Sequence, residues 1–496
     1  MIKSALVLGG GTAGLVSALI LKSLYQKLDV TIVKSSDIGI IGVGEGSTEH
    51  WSEFMSICGI SVNELVNETD ATYKTGIKFV NWNGDNDYYM HSIHDAYTKP
   101  SRSGFPLSYQ GLISEGKTHH DLVPVNIHKS LHLEPLESSV YQFHFNTHKL
   151  NEFLIKKCKE KNIKIIDAVI ENVVIDNDGF VDKIISNDGR EFSSDLYIDC
   201  SGFKRVISSK LGVKWIDCGE YLPMNSAIAF PTEKTEEIPS HTISTAMSSG
   251  WMWRIPTQNR YGNGYVYNDN FITEDQAIAE AQSVFADPIE IGKKIKFTAG
   301  YVDKFWVKNC VSVGLSGSFV EPLEASSIGT SIVQAISLAN HILTYDRNNL
   351  KTVETYNKEF DKVSKNIIDF VQIHYITKRR DTDFWKSCKD LKLTEFNKET
   401  LDLFKSTMPS PIFFPEPWLL FKQINWIMVM HGLNMFDRTK LKSTFNLLNN
   451  DIIYASNASH EDLKKYTQEQ TLYTHRESLE MLKSRNAFTK ISFDNE

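Results

Sequence analysis

No two of the six cysteines are spaced as C-x-x-C. Cys58, Cys158, Cys200, Cys218, Cys310 and Cys388 are scattered, which excludes a zinc ribbon and a disulfide framework and leaves reduced thiols in a cytoplasm as the expectation. Basic excess is also lacking. Against 61 Asp and Glu stand 53 Lys and Arg, for a net charge of -8, and Lys378-Arg379-Arg380 is too short to be a basic tract, so no nucleic acid is expected as a partner. No run reaches the roughly 18 apolar residues of a membrane helix. The opening Met-Ile-Lys-Ser-Ala-Leu-Val-Leu carries no small-residue cleavage site, so neither membrane association nor a signal peptide is expected. Internal repeats and low-complexity linkers are missing as well. What is there is an ordinary globular balance, 41% hydrophobic and 23% charged over 496 residues, ample for a large core.

Ala5 to Leu8 is a short apolar run suited to a buried parallel strand. Gly9-Gly10-Gly11-Thr12-Ala13-Gly14 follows, then helical periodicity from Leu15 to Leu24 and a second buried strand from Val30 to Val33. Strand, glycine turn, helix and strand within about 30 residues is the context of a dinucleotide fingerprint. Gly9 permits the tight turn, Gly11 lets the backbone approach a pyrophosphate, and Gly14 lets helix and strand pack closely. Where an acidic residue should hold the ribose, the chain has Lys34. Ser35, Ser36 or Asp37 takes that place, or the adenosine is held loosely, or Lys34 faces a ribose phosphate.

Residues 143 to 158 have helical periodicity, with Asn146 or Thr147 as cap. Strands are predicted at Ile163 to Ile166, Val169 to Ile175, Val181 to Ile185, Asp195 to Cys200 and Val311 to Gly314. The predicted fold class is α/β: an FAD-binding, Rossmann-like core with an inserted β-rich substrate layer and a mainly helical C-terminal region. The core is drawn from about 1–50, 145–210 and 295–346 within 1–346, the insertions are 51–140 and 215–295, and the helical region is 347–496. These pieces are expected to form one interlocked body.

The most informative segment is Glu321-Pro322-Leu323-Glu324-Ala325-Ser326-Ser327-Ile328. A carboxylate set among small residues, far from the glycine loop, points to what the nucleotide is used for. With it stand Tyr73-Lys74-Thr75-Gly76-Ile77-Lys78-Phe79-Val80-Asn81-Trp82 and Gly250-Trp251-Met252-Trp253-Arg254-Ile255-Pro256. Taken in chain order with the glycine loop first, the four segments resemble flavin-dependent halogenases of the tryptophan-halogenase type. Weaker likeness continues through Asp369 to Tyr375 and Gly432 to Met435, so it spans nearly the whole chain.

The resemblance implies FAD, supplied as FADH2 by a separate NAD(P)H-dependent flavin reductase, with dioxygen and halide as co-substrates and a small aromatic substrate. It implies hypohalous acid that travels to Lys74, with Glu324 assisting electrophilic substitution, and Trp251 and Trp253 screening the flavin. It carries flavin contacts to Gly9, Gly11, Thr12, Ala13, Gly14, Ser35, Gly44, Glu45, Ser47, Val173, Leu315 and Ile328, and halide contacts to Ser326 and Ser327. No metal is implied. A buried ammonium can donate to the oxygen of hypohalous acid or, with its pKa depressed, form a haloamine. A carboxylate can accept the proton leaving the arene. Lys78, four residues on, competes for the lysine role.

Two departures matter. Tryptophan-active members follow the second Glu with Ser-Thr-Gly-Ile, where this chain has Ala325-Ser326-Ser327-Ile328. Losing the threonine methyl enlarges the halide pocket, which favours bromide or iodide over chloride. Their Tyr-Tyr and Glu cluster for the amino acid is replaced by Pro409 to Pro417, so an indole or phenol fits at least as well as free tryptophan. His91, Phe105 and Trp426 are candidate substrate walls. A homo-oligomer is compatible with the sequence. The competing readings are a flavin-dependent aromatic monooxygenase and a catalytically silent flavin-binding protein.

Overall fold

A computed structural model describes residues 2–39, 45–92, 105–122, 142–454, 458 and 473–484. At its centre is a six-stranded sheet in the order Trp306–Val307, Cys310–Ser312, Leu196–Asp199, Ser4–Leu8, Asp29–Lys34, Lys164–Asp167. All neighbours are parallel except the edge pair Trp306–Val307 and Cys310–Ser312. Ala5, Leu6, Val7 and Leu8 are all buried, as a parallel strand covered on both faces requires. One face is covered by the helices Thr12–Leu24 and Ser326–His341, which pack on each other. The other takes an antiparallel sheet of Ile170–Ile175, Val181–Ser186 and Glu191–Phe192, whose Val173, Val181 and Ile184 meet Leu6, Leu8 and Val33.

Beside this core stands a seven-stranded sheet in the order Lys293–Lys296, Ser226–Glu233, Arg260–Tyr267, Gly250–Pro256, Thr242–Ala246, Gly76–Val80, Tyr88–Ser92. It is antiparallel except where Thr242–Ala246 runs parallel to Gly76–Val80. Beyond residue 347 the described elements are mainly helical, led by the 23-residue Lys351–Ile373. Its Tyr356, Phe360, Val363, Phe370 and Val371 bury in the main core at the three- and four-residue spacings of an amphipathic helix. The architecture is the α/β class expected.

One local expectation changes. The helix predicted over 143–158 is Thr147–Glu160 with Asn146 as its N-cap. Phe143–Phe145 is instead the middle strand of a small sheet between Glu45–Gly46 and Thr72–Tyr73. Partners about 70 and 100 residues upstream override the local preference. The edge strand of this small sheet, Thr72–Tyr73, leads directly into Lys74. Among the described residues no helix is long and apolar enough to cross a membrane, and no group of three or more His, Cys, Asp and Glu could hold a metal ion.

Candidate active site

The glycine loop is built for close approach. Gly9 has φ +128°, and a Cβ there would lie 2.2 Å from the Cys200 carbonyl oxygen. A Cβ on Gly14 would lie 2.2 Å from the Gly9 carbonyl oxygen, whereas one on Gly11 would meet nothing within 4 Å. The first two fix the turn; the third leaves open space in front of the Thr12–Leu24 N-terminus, where backbone N–H groups and the helix dipole favour a phosphate. Ala13 abuts Gly314, whose φ is +66°. Thr12 Oγ1 stands 3.5 Å from Glu45 Oε2. Burial pushes Glu45 up to about 7, with the Thr12 hydroxyl opposing. Ser35 closes a local turn by accepting the Asp37 N–H, Val173 packs on the far face of the sheet, and neither lines the cavity described next. Lys34 lies against Gly10. Gly44 falls outside the described residues.

A cavity of about 190 Å³ opens beyond the loop. Glu45, Gly46, Trp251, Trp253, Leu315 and Ile328 line it, together with Ser326 and Ser327. Trp251 and Trp253 alternate along Gly250–Pro256 with ring centroids 6.1 Å apart. The Trp253 indole nitrogen is buried and has no partner among the described residues. Three features suit a flavin: an open glycine cradle, an apolar cavity with aromatic walls, and that unpaired N–H. The helix Ser326–His341 starts at the cavity without a side-chain cap, so its first N–H groups are available to an anion.

Every residue from Glu321 to Ile328 lines the cavity except Glu324. Ala325 turns the chain there with φ 52°, a left-handed conformation that costs a non-glycine residue about 1–2 kcal/mol. The Glu324 side chain faces the other way and is 3% exposed. His91 Nδ1 is 2.8 Å from its Oε2, and His374 Nε2 is 2.8 Å from its Oε1. The His374 contact is close but poorly aligned as a hydrogen bond. Asn425 settles the His91 tautomer. Its Oδ1 accepts the Lys422 N–H, so its Nδ2 faces His91 Nε2 at 3.0 Å. Nε2 therefore accepts, and Nδ1 carries the proton donated to Glu324. At His374, Nδ1 pairs with the Tyr89 hydroxyl at 2.9 Å, which leaves its Nε2–H for the carboxylate. Burial lowers His374 more than Glu324 raises it, so this imidazole acts as a neutral donor. For Glu324, burial alone would raise the pKa; His91 and His374 outweigh it and hold the carboxyl down to about 2.

Lys74 is 2% exposed and donates from Nζ to the Ser47 carbonyl at 2.8 Å. Its stem runs past Gly46, where a Cβ would lie 3.4 Å from Lys74 Cδ and 3.5 Å from Ala325 Cβ. The lysine thus sits directly behind the loop that walls the cavity. Burial lowers it to about 8, opposed by Glu324 and Glu49. Lys78 is separate: its Nζ lies 4.1 Å over the Tyr88 ring, and burial lowers its pKa against the pull of Asp87. Trp426 is fully buried among Phe370, Phe396, Phe404 and Phe414. The Phe105 side chain falls outside the described residues.

The family model described as "Tryptophan halogenase" matches residues 4–445. The chain belongs to the tryptophan halogenase family. It is 31% identical over 438 residues to tryptophan 7-halogenase RebH of Lentzea aerocolonigenes, with 82% of each chain covered. It is 31% identical over 442 residues to tryptophan 6-halogenase ThaL of Streptomyces albogriseolus, covering 82% of this chain and 83% of that one. Among solved structures, the tryptophan C-6 flavin-dependent halogenase Tar14 from taromycin biosynthesis superposes with a TM-score of 0.89 at 25% identity, covering 97% and 100% of the two chains. As a member of this family, the protein is an FADH2-dependent halogenase, an oxidoreductase. Sequence reasoning missed His374, Asn425 and Tyr89 as members of the buried network around Glu324. His374 stood inside the quoted Asp369 to Tyr375 segment, but only the fold brings it to Glu324.

Proposed function

We propose that this halogenase places bromide or iodide, with chloride as a poorer substrate, on an electron-rich ring of the indole or phenol class. The observation that carries the reading is the buried pair behind the loop. Lys74 and Glu324 are a cation and an anion held out of water, on the side of residues 321–328 away from the cavity. Burying charge is costly even when it is partnered, and groups kept in such a place cluster at functional sites.

The Gly9–Gly14 cradle and the cavity would hold reduced FAD, which with dioxygen would supply the oxidation of halide to hypohalous acid. Trp251 and Trp253 exclude water from one wall of that cavity. The uncapped N–H groups of Ser326, Ser327 and Ile328, with the dipole of their helix, hold halide there. Ser326 is buried, and Ser327 is exposed toward the opening. Behind the loop, the Lys74 ammonium donates to the oxygen of the acid, which makes the halogen more electrophilic. Its pKa near 8 also leaves a neutral amine fraction able to form a haloamine. Glu324, kept ionised by His91 and His374, accepts the proton released by the ring carbon. A depressed pKa makes it a weak base, but the arenium C–H is far more acidic, so the transfer remains downhill. Lys74 and Glu324 on one buried wall supply positioning. FADH2 comes from a separate NAD(P)H-dependent reductase, since no nicotinamide motif stands beside the N-terminal loop. The division into a discontinuous core within 1–346 and a C-terminal region from 347 that closes the substrate site is part of the same reading.

The names of the relatives, tryptophan 7- and 6-halogenases, support an indole ring. The Pro409 to Pro417 segment argues against the amino-acid anchor of free tryptophan. The test is a panel of tryptophan, indoles and phenols with FAD, a flavin reductase and each halide at equal concentration, read by mass spectrometry. Brominated indole or phenol formed faster than chlorinated product is expected. A chloride preference overturns the halide assignment. Halide-independent hydroxylation or peroxide alone overturns the function.

A further inference from the structure

The strand Thr72–Tyr73 lies at the edge of its three-stranded sheet. Its partner strand satisfies one side: Tyr73 pairs with Phe143, and the next residue, Lys74, donates its backbone N–H to the Gln142 carbonyl at 2.8 Å. The Tyr73 N–H points the other way, where no strand follows among the described residues. A buried backbone donor left in that position would cost about 1–3 kcal/mol. The chain fills it with a side chain from 402 residues later: His475 Nε2 accepts the Tyr73 N–H at 3.0 Å. The imidazole also stacks on the Tyr73 ring, 5.8 Å away at an interplanar angle of 19°. Accepting through Nε2 requires the neutral tautomer with the proton on Nδ1.

The placement of His475 is itself constructed. It is the first residue of the helix His475–Ser484. Thr474 and Glu477 form a reciprocal cap: the Thr474 N–H donates to Glu477 Oε2 at 2.7 Å, and the Glu477 N–H to Thr474 Oγ1 at 3.2 Å. That capping box fixes the first turn. Leu479 and Leu482 enter the main core. The Leu482 carbonyl accepts from Asn63 Nδ2 at 2.7 Å, on the neighbouring helix Val62–Thr69. The whole segment lies beyond residue 445, where the family match ends.

We propose that His475 is a positioning residue for Lys74: a C-terminal helix outside the family-matched region braces the backbone one residue before the lysine and so fixes where its ammonium stands. The proposal rests on Lys74 being the group that delivers the halogen. Without the brace, Tyr73 can shift away from its partner strand and Lys74 follows. Misplacement of a reacting group by about 1 Å costs up to about a hundredfold in rate. Oxidant production depends on the cavity on the other side of the loop and stays as it is.

The test uses the full-length holoenzyme with FAD, a flavin reductase, bromide and indole, in wild type, His475→Leu and His475→Gln. Leucine keeps bulk and removes the acceptor; glutamine restores an acceptor through its amide oxygen. The readouts are the ratio of bromoindole to dye-trapped hypobromous acid and the amide exchange rate at Tyr73. In His475→Leu the ratio is expected to fall about tenfold with total oxidant unchanged, and Tyr73 exchange to accelerate; His475→Gln recovers both. An unchanged ratio in His475→Leu overturns the proposal, and so does a fall that glutamine fails to rescue. If His475→Leu does not fold, Glu477→Ala removes the side-chain half of the cap while leaving the buried contacts, and is expected to move the ratio the same way by a smaller factor; no movement overturns the proposal. If the wild type brominates nothing, the functional reading fails by itself, and Tyr73 exchange still decides whether His475 braces the strand.

Discussion

Replacing Lys74 by methionine should stabilise the protein while ending its halogenation. Burial takes the ammonium from its usual 10.5 to about 8, after Glu324 and Glu49 have pulled part of the way back. That difference is worth about 3 kcal/mol against the charged form. Methionine fills most of the stem without a charge, but the Ser47 carbonyl loses its donor, a loss of about 1 kcal/mol. The net expectation at pH 7 is a variant about 2 kcal/mol more stable than wild type. The pH dependence identifies the cause. Between pH 8 and 10.5 the unfolded wild-type chain holds a proton at this position that the folded protein has released. Stability therefore rises with pH across that window, because the unfolded state binds more protons. Below pH 8 the full penalty applies, and above 10.5 it has gone. Urea unfolding of both proteins at pH 7, 8, 9 and 10, with the slope unchanged, gives the difference directly. The advantage of Lys74→Met should shrink steadily as pH rises. A variant less stable at pH 7, or a difference that ignores pH, would refute the claim that Lys74 is a buried charge kept at a cost.

Asn425→Asp replaces the donor facing His91 Nε2 with an acceptor, so the imidazole becomes doubly protonated between two carboxylates; kcat should fall by about tenfold or more, and the 15N resonances of His91 should move to imidazolium positions, whereas unchanged resonances contradict the tautomer assignment. Ala325→Gly relieves a residue held at φ 52° and should stabilise by about 1 kcal/mol in urea; a loss of stability means the turn is not strained. Gly9→Ala forces a side chain toward Cys200 at φ +128° and should weaken FAD binding by about 10- to 100-fold, as 1–3 kcal/mol of local strain implies; fluorescence titration with an unchanged Kd would remove the loop from the flavin site.

The residues legible in the sequence are those whose chemistry is local. Gly9 and Gly14 could be assigned because backbone crowding leaves only glycine there, and contacts of 2.2 Å from their missing Cβ atoms express that constraint. For Trp251 and Trp253 alternation on a strand predicted only a shared face; their place beside a flavin came from the family resemblance. Lys74 and Glu324 were legible through their segments, and the fold buries both. What the sequence hid is long-range. Glu324 meets His91 across 233 residues, and Tyr89 meets His374 across 285; no periodicity encodes such pairs. His91, read as a substrate wall, proves to donate to Glu324. The strand Phe143–Phe145 was hidden for the same reason, since its partners come from residues 45–46 and 72–73.

In the proposed reaction, oxidant is made in one compartment and delivered in another by Lys74. Lys74→Ala holoenzyme, given FADH2, oxygen and bromide, should still yield hypobromous acid to a trapping dye at the wild-type rate while producing no brominated arene. If the dye signal disappears together with the product, Lys74 serves flavin chemistry or folding rather than delivery; if brominated arene persists at the wild-type rate, the lysine is not the delivering group at all.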